Sequence, residues 1–176
     1  MTRLQKKIEQ FIKSNKEYYD IVEPILNHPE IIKRKDFIHH ESCSVYDHCL
    51  IVSILSYIWA KKLGWDYKSA AIGGLLHDFY DEPWQKNLHI TKKFHEKHGF
   101  IHARQAAKNA AKYFPDLITE KIDNIIRRHM FPLNIIPPKY RESWIVSMVD
   151  KYTSLDILKS PKEWPKYLGF IKNKQN

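Results

Sequence analysis

The spacing of apolar residues in the centre of this sequence is the feature that most limits its possible folds. Val45, His48, Val52, Leu55 and Trp59 recur at intervals of three and four residues, which is typical of a helix with one buried face. No segment shows the sustained two-residue alternation of a half-buried strand. Glycine is also scarce, with 5 in the chain, whereas sheet-rich folds usually need more. The sequence therefore predicts an all-α protein.

Prolines, glycines and capping residues indicate where the helices begin and end. We expect helices at residues 4–14, 18–26, 45–63, 66–78, 100–113, 119–129 and 140–158, and a short one from Pro161. The 176 residues are enough for one domain with a substantial core. We divide the chain into N-terminal helices (residues 1–40), a core domain (41–160) and a C-terminal short helix with a basic tail (161–176). The N-terminal helices either pack over the core or mediate a homodimer.

Composition and charge narrow the class of protein further. The N-terminus lacks the apolar core of a secretory signal, and no apolar stretch is long enough to span a membrane, so we expect a cytoplasmic protein. The formal net charge of +9 attracts anions, either small phosphorylated molecules or nucleic acid. The aromatic residues do not cluster with the basic ones, as a platform for single-stranded nucleic acid requires. The sequence therefore disfavours nucleic acid, and the excess of basic residues either attracts a small phosphorylated partner or simply forms a solvated surface.

Several histidines and aspartates fall where helical spacing turns them towards the interior. His48 shares a face with Val52 and Leu55, and small or apolar residues lie one turn from most of the others. The set consists of His48, His77, Asp78, His102, His129 and Asp150. Buried imidazoles and carboxylates are costly unless they are paired or bind a metal. Their donors suit divalent iron, manganese, cobalt, nickel or zinc, and the number of ligands predicts two ions that share Asp78.

The order of these residues resembles the signature of a known superfamily. His48, then Leu75-Leu76-His77-Asp78, then a distal Asp150 is similar to the H…HD…D pattern of HD-domain phosphohydrolases, across residues 45–155. The segments 102–107 and 127–130 resemble the extra histidine positions of the short, single-domain members that hold two ions. The resemblance implies a compact helical domain with its metal site between the helices.

The resemblance also implies how the ligands are divided. One ion would bind to His48, His77, Asp78 and Asp150. The second would bind to Asp78, His102 and His129. His98 lies one turn before His102, so it is an alternative ligand or an outer partner that contacts substrate.

The residues after the HD pair depart from the usual pattern of the superfamily. Many members continue as His-Asp-Ile-Gly-Lys, whereas this chain reads His77-Asp78-Phe79-Tyr80-Asp81. An acid therefore replaces the lysine that is expected to contact substrate phosphate. This departure makes the cyclic-dinucleotide phosphodiesterases a poor match. The short members that hydrolyse nucleotides or dinucleoside polyphosphates are closer in size and motifs.

The resemblance implies hydrolysis of a phosphomonoester or phosphoanhydride, of a nucleotide or dinucleotide, through a metal-activated hydroxide. Asp78 would bridge the ions, and Arg128 and Lys151 are candidates for binding the phosphate. Asp81 is a candidate proton donor to the leaving oxygen, a partner that orients a ligand histidine, or a simple helix-terminal acid. The basic segment 86–98 is either a lid over the site or an exposed linker.

Two other functions are compatible with the same residues. A di-iron site with open positions could perform oxygenase chemistry, as in some HD-type proteins. A non-catalytic module could use the site to bind metal or nucleotide for structure or regulation.

Overall fold

The computed structural model describes residues 2–40, 43–81 and 98–159, and it confirms the all-α prediction. The helices of these residues are α1 (Arg3–Ser14), α2 (Lys16–Leu26), α3 (Pro29–Ile32), α4 (Val45–Lys62), α5 (Tyr67–Leu76), α6 (His98–Tyr113), α7 (Glu120–Arg128) and α8 (Arg141–Lys159). Short 3-10 turns occupy Lys33–Asp36 and Pro115–Leu117. A two-stranded antiparallel hairpin, β1 (Ile38–His40) and β2 (Cys43–Ser44), leads into α4. Neither α3 nor this hairpin was predicted, because both are shorter than any periodic signal.

Side-chain caps explain why several helices begin where they do. Thr2 forms a capping box with Gln5 at the start of α1. Ser44, Asp66 and Thr119 each accept a hydrogen bond from a backbone N–H in the first turn of α4, α5 and α7, respectively. These caps satisfy donors that a helix leaves unpaired. The predicted boundaries of the longer helices consequently agree with the structure to within a few residues.

Helix α4 is surrounded on nearly all sides, so the prediction of a single buried face was wrong. It packs on α1, α5, α8 and the hairpin, and residues on every side of its axis are buried. Polar side chains are buried there as well, and Ser53 has an internal partner: its Oγ donates to the carbonyl of Ala71 at 2.7 Å. Trp59, which was expected on the buried face, is instead 42 % exposed.

Two glycines allow α5 to lie very close to its neighbours. A Cβ at Gly74 would lie 2.9 Å from Ser53 Cα on α4, and a Cβ at Gly73 would lie 2.5 Å from Ile125 Cγ2 on α7. Both distances are shorter than ordinary carbon contacts. This close packing directs the end of α5 into the centre of the domain. Helix α5 ends at Leu76, so His77 and Asp78 follow the helix and do not form its last turn as predicted.

The N-terminal helices contact the central helices through polar groups as well as apolar ones. The buried Tyr18 of α2 donates its hydroxyl hydrogen to Ser53 Oγ at 2.8 Å. Glu17 of the same helix accepts hydrogen bonds from the hydroxyls of Tyr57 and Tyr67 at 2.7 and 2.9 Å. These contacts join α2 to both α4 and α5.

Some predicted features lie outside the described residues. They are the short helix from Pro161, the basic tail, and nearly all of the basic segment 86–98. Within the three described ranges, no helix is both long enough and apolar enough to cross a membrane.

Replacing Gly74 by alanine tests the close approach of α5 to α4. The added Cβ would collide with the backbone of α4 and not with a movable side-chain end. We expect Gly74→Ala to lower the free energy of unfolding by about 1–3 kcal/mol, the usual effect of overpacking. Urea unfolding followed by circular dichroism would measure the loss. Lys68→Ala, an exposed change in the same helix, is the matched control; an equal effect of both changes would contradict the proposed collision.

Candidate metal centre

The structure brings all the predicted metal ligands together in the interior. His48 comes from α4, His102 from α6 and Asp150 from α8, whereas His77, Asp78 and His129 lie just after the ends of α5 and α7. None of these residues is more than 7 % exposed. Groups of their ligand atoms lie within 4.8 Å of one another, close enough for one ion to reach several of them. The cluster is therefore a buried set of nitrogen and oxygen donors.

One half of the cluster is centred on the carboxylate of Asp150. Asp150 Oδ1 lies 3.1 Å from Nε2 of His48 and 3.4 Å from Nε2 of His77. The same nitrogen of His77 lies 3.6 Å from Asp78 Oδ2. Two imidazoles and two carboxylates thus point at a common space.

The other half of the cluster is centred on Oδ1 of Asp78. Asp78 Oδ1 lies 3.4 Å from Nε2 of His102 and 3.5 Å from Nε2 of His129. These two nitrogens are only 3.0 Å apart. Because Oδ2 of Asp78 faces His77 and Oδ1 faces His102 and His129, Asp78 lies between the two halves.

Hydrogen bonds to backbone carbonyls orient two of the imidazoles. His77 Nδ1 donates to the carbonyl of Gly74 at 2.8 Å, and His129 Nδ1 donates to the carbonyl of Ile126 at 2.7 Å. A carbonyl oxygen can only accept, so the proton of each neutral ring is on Nδ1 and the lone pair is on Nε2. This arrangement is the usual one for histidines that bind metals.

The donor set fits divalent metal ions. His77 Nε2 is buried and lies 3.4 Å from a carboxylate oxygen of Asp150 and 3.6 Å from one of Asp78. Two carboxylates that face one buried nitrogen need a positive charge between them, which is supplied either by a proton on this nitrogen or by a bound cation. Imidazole and carboxylate donors together suit the transition metals predicted from the sequence.

The charges within the cluster shift several pKa values. Burial alone would raise the pKa values of Asp78 and Asp150, but neighbouring imidazoles lower both below the usual range: chiefly His77 for Asp78, and His48 and His77 for Asp150. Burial opposes the charging of His77, yet Asp78 raises the pKa of His77 well above its ordinary value. Burial and the nearby His77 lower the pKa of His129 to about 3. Ionised carboxylates beside a neutral His129 are the forms that bind metal.

Lys151 lies near the cluster, but its ammonium group binds the backbone. Its Nζ donates to the carbonyl of His129 at 2.7 Å, to Ser147 Oγ at 2.9 Å and to the carbonyl of Ser147 at 3.3 Å. These three bonds use the three hydrogens of the ammonium group. In this arrangement Lys151 supports the backbone of a predicted ligand.

Three further residues were predicted to act at the site, namely Asp81, Arg128 and His98. Asp81, half exposed, accepts hydrogen bonds from Gln105 and Asn109 and lies 3.4 Å from a guanidinium nitrogen of Arg34. Arg128 is the last residue of α7, directly before His129. His98 begins α6, and its side chain lies outside the described residues.

Three residues near the site were not predicted from the sequence, namely Arg34, Gln105 and Asn109. Gln105 and Asn109 follow His102 by three and seven residues, so helical spacing could have placed them on the face that carries this histidine. Arg34 has no comparable signal, because its partners at the site, Tyr80 and Asp81, are more than forty positions away in the chain.

Comparison with known proteins identifies one family. A family model of the HD domain matches residues 45–155, which include every predicted metal ligand. No curated protein matches the chain, and no solved structure does.

The low pKa of His129 predicts how the stability of the metal-free protein depends on pH. An unfolded histidine binds a proton below about pH 6.5, whereas folded His129 remains neutral down to about pH 3. The unfolded state therefore takes up more protons over this range, and stability falls as the pH is lowered. One such histidine contributes a slope of up to about 1.4 kcal/mol per pH unit.

We expect His129→Gln to flatten this acid-side slope. The measurement is urea unfolding at several pH values between about 4.5 and 6.5, with a chelator present. The carboxylates, whose pKa values are lowered, lose their contribution only at lower pH. His77, whose pKa is raised, loses its contribution only at higher pH. Equal slopes in the wild type and the variant would contradict the low pKa of His129.

Proposed function

This chain belongs to the HD domain family, and on that basis we propose that it is a metal-dependent phosphohydrolase. Its substrate would be a phosphomonoester or phosphoanhydride, specifically that of a nucleotide or dinucleotide. The observation that carries the proposal is the position of Asp78 between two groups of buried histidines. A carboxylate in this position can bridge two cations.

We assign the ligands of the two ions from the two halves of the cluster. The first ion would be held by His48, His77, Asp78 and Asp150, and the second by Asp78, His102 and His129. Three protein ligands leave coordination positions open for water or substrate, as in catalytic sites. Divalent ions bound here would supply an activated water and polarise the phosphoryl oxygens.

The protein's own contribution would be to hold the ligands in one orientation and protonation state. The carbonyls of Gly74 and Ile126 keep Nε2 of His77 and His129 available. Lys151 and Ser147 both donate to the carbonyl of His129, so the backbone of this ligand is fixed to α8. These contacts support an orienting role for Lys151 in preference to a direct contact with phosphate.

Arg128 remains our candidate for stabilising negative charge on the phosphoryl group. It adjoins His129, and its guanidinium group can form two parallel hydrogen bonds with phosphate oxygens. We also keep His98 and the basic segment 86–98 as candidates for contacting the substrate. The net charge of +9 supports an anionic substrate.

The second half of the cluster also favours one alternative function. Asp78, His102 and His129 provide two imidazoles and one carboxylate, a ligand set that non-haem iron oxygenases use with open positions. Oxygen consumption by the iron-loaded protein would support this alternative. Release of phosphate from a nucleotide under anaerobic conditions would support hydrolysis.

Counting the bound metal tests the proposed function directly. We expect about two transition-metal ions per chain by elemental analysis, and ion-dependent release of phosphate from a panel of nucleotides and dinucleotides. Asp78→Ala should lose most of the bound metal and at least about 10²-fold of the activity, because both ions share this ligand. The control is Asp20→Ala, which removes an exposed acid of α2 and should retain both the bound metal and the activity. Absence of uptake on addition of manganese, iron, cobalt or zinc would refute the proposal.

A further inference from the structure

The carboxylate of Asp81 lies where three separate parts of the chain meet. Its Oδ2 accepts a hydrogen bond from Gln105 at 2.9 Å, and its Oδ1 accepts one from Asn109 at 2.8 Å. Arg34 Nη2 approaches the same Oδ1 at 3.4 Å. Both oxygens therefore act as acceptors, which is the role of a carboxylate and not of a proton donor.

The backbone before Asp81 is held from both sides. Arg34 donates from Nε and Nη2 to the carbonyl of Tyr80 at 3.1 and 2.7 Å, and its guanidinium group stacks 4.4 Å from the ring centre of Phe79. Asn109 donates to the carbonyl of Phe79 at 3.0 Å. The segment that directly follows Asp78 is thus fixed by a residue from the N-terminal part of the chain and by α6.

The bonds from α6 originate on the face that carries His102. His102, Gln105 and Asn109 are spaced by three and four residues, so they lie along one side of this helix. Asn109 and Asp81 are 28 positions apart in the chain, yet they join this side of α6 to the segment after Asp78. Rotation or sliding of α6 would break these bonds and move His102 Nε2 away from Asp78.

We propose that Asp81, together with Arg34 and Asn109, positions His102 against Asp78 and so determines the affinity for the second ion. The inference rests on the proposed function, because it concerns the second of the two metal sites assigned above. Asp81 is then a positioning residue. The first ion would be affected less, because three of its ligands, His48, His77 and Asp150, come from α4, the end of α5 and α8 and contact one another, whereas Asp78 is the ligand that adjoins this network.

Arg34 brings part of the chain outside the family match into this network. It precedes residue 45, where the match begins, and its side chain is only 3 % exposed. Glu30 holds the guanidinium group from the other side, through its carboxylate at 3.0 Å and its backbone carbonyl. A lysine could not make the forked contact with Tyr80 and Asp81, because it has a single nitrogen.

Titration of the metal-free protein with cobalt(II) tests the inference, because the visible spectrum of cobalt reports each coordination site separately. The main variant is Asp81→Ala, since the side chain is 49 % exposed and its removal leaves the core intact. Asp116→Ala, an exposed acid in the turn after α6, is the matched control. We expect the wild type and the control to bind two ions. In Asp81→Ala the first ion should bind normally, and the second should bind about 10–100-fold more weakly.

A second variant tests the same network from the N-terminal side. Arg34→Lys keeps the charge but loses the pair of guanidinium N–H donors. It should therefore also lower the affinity for the second ion while leaving the first unchanged. Circular dichroism would establish that each variant is folded before titration.

The outcomes separate this inference from the proposed function. A wild type that binds two ions, together with an Asp81→Ala variant that binds both with unchanged affinity, would overturn the inference alone. An equal loss of affinity for both ions in Asp81→Ala would also overturn it, because the effect would then not be specific to the second metal site. A wild type that binds no cobalt would overturn the proposed function and the inference together.

Discussion

The exclusion of water from a cluster of ionisable side chains is the constraint on which the rest of this structure depends. Imidazoles and carboxylates that are buried together are stable only if each polar atom has a partner. The fold provides several of these partners through the positions of its helices, and it directs the remaining donor atoms at one another. Two helices, α5 and α7, end directly before His77 and His129, and in each case the ring donates to the carbonyl three residues earlier. The same local geometry therefore orients two ligands.

These two helix ends also contribute to the electrostatics of the site. The C-terminus of a helix carries partial negative charge, which favours cations nearby. Helices α5 and α7 pack against each other, and Gly73 allows the side chain of Ile125 to lie close to the backbone of α5. Both negative helix ends consequently face the same buried space. The packing of small residues and the binding of cations are thus linked through the same pair of helices.

Features of this fold that depend on near neighbours in the chain are visible in the sequence, whereas those that depend on distant residues are not. Caps and helical spacing act over a few residues. They therefore predicted most helix boundaries and the burial of His48 and the other candidate metal ligands. The burial of α4 on all sides could not be predicted in this way, because it depends on helices from distant parts of the chain. The bonds of Arg34 and Lys151 to backbone carbonyls were missed for a similar reason. A cation that binds a carbonyl leaves no periodic pattern in the sequence.

The acid at position 81 shows how one departure from a family pattern changes the expected substrate contacts. In this chain Asp81 accepts hydrogen bonds from two amides of α6 and lies beside the buried guanidinium group of Arg34. A lysine here would remove the acceptor and place a second cation next to the buried guanidinium group of Arg34, and like charges at this distance repel each other. The network around Asp81 and a phosphate-binding lysine at this position are therefore incompatible. A phosphoester substrate would need its cations from other residues, such as the proposed Arg128, which directly precedes His129 in the chain.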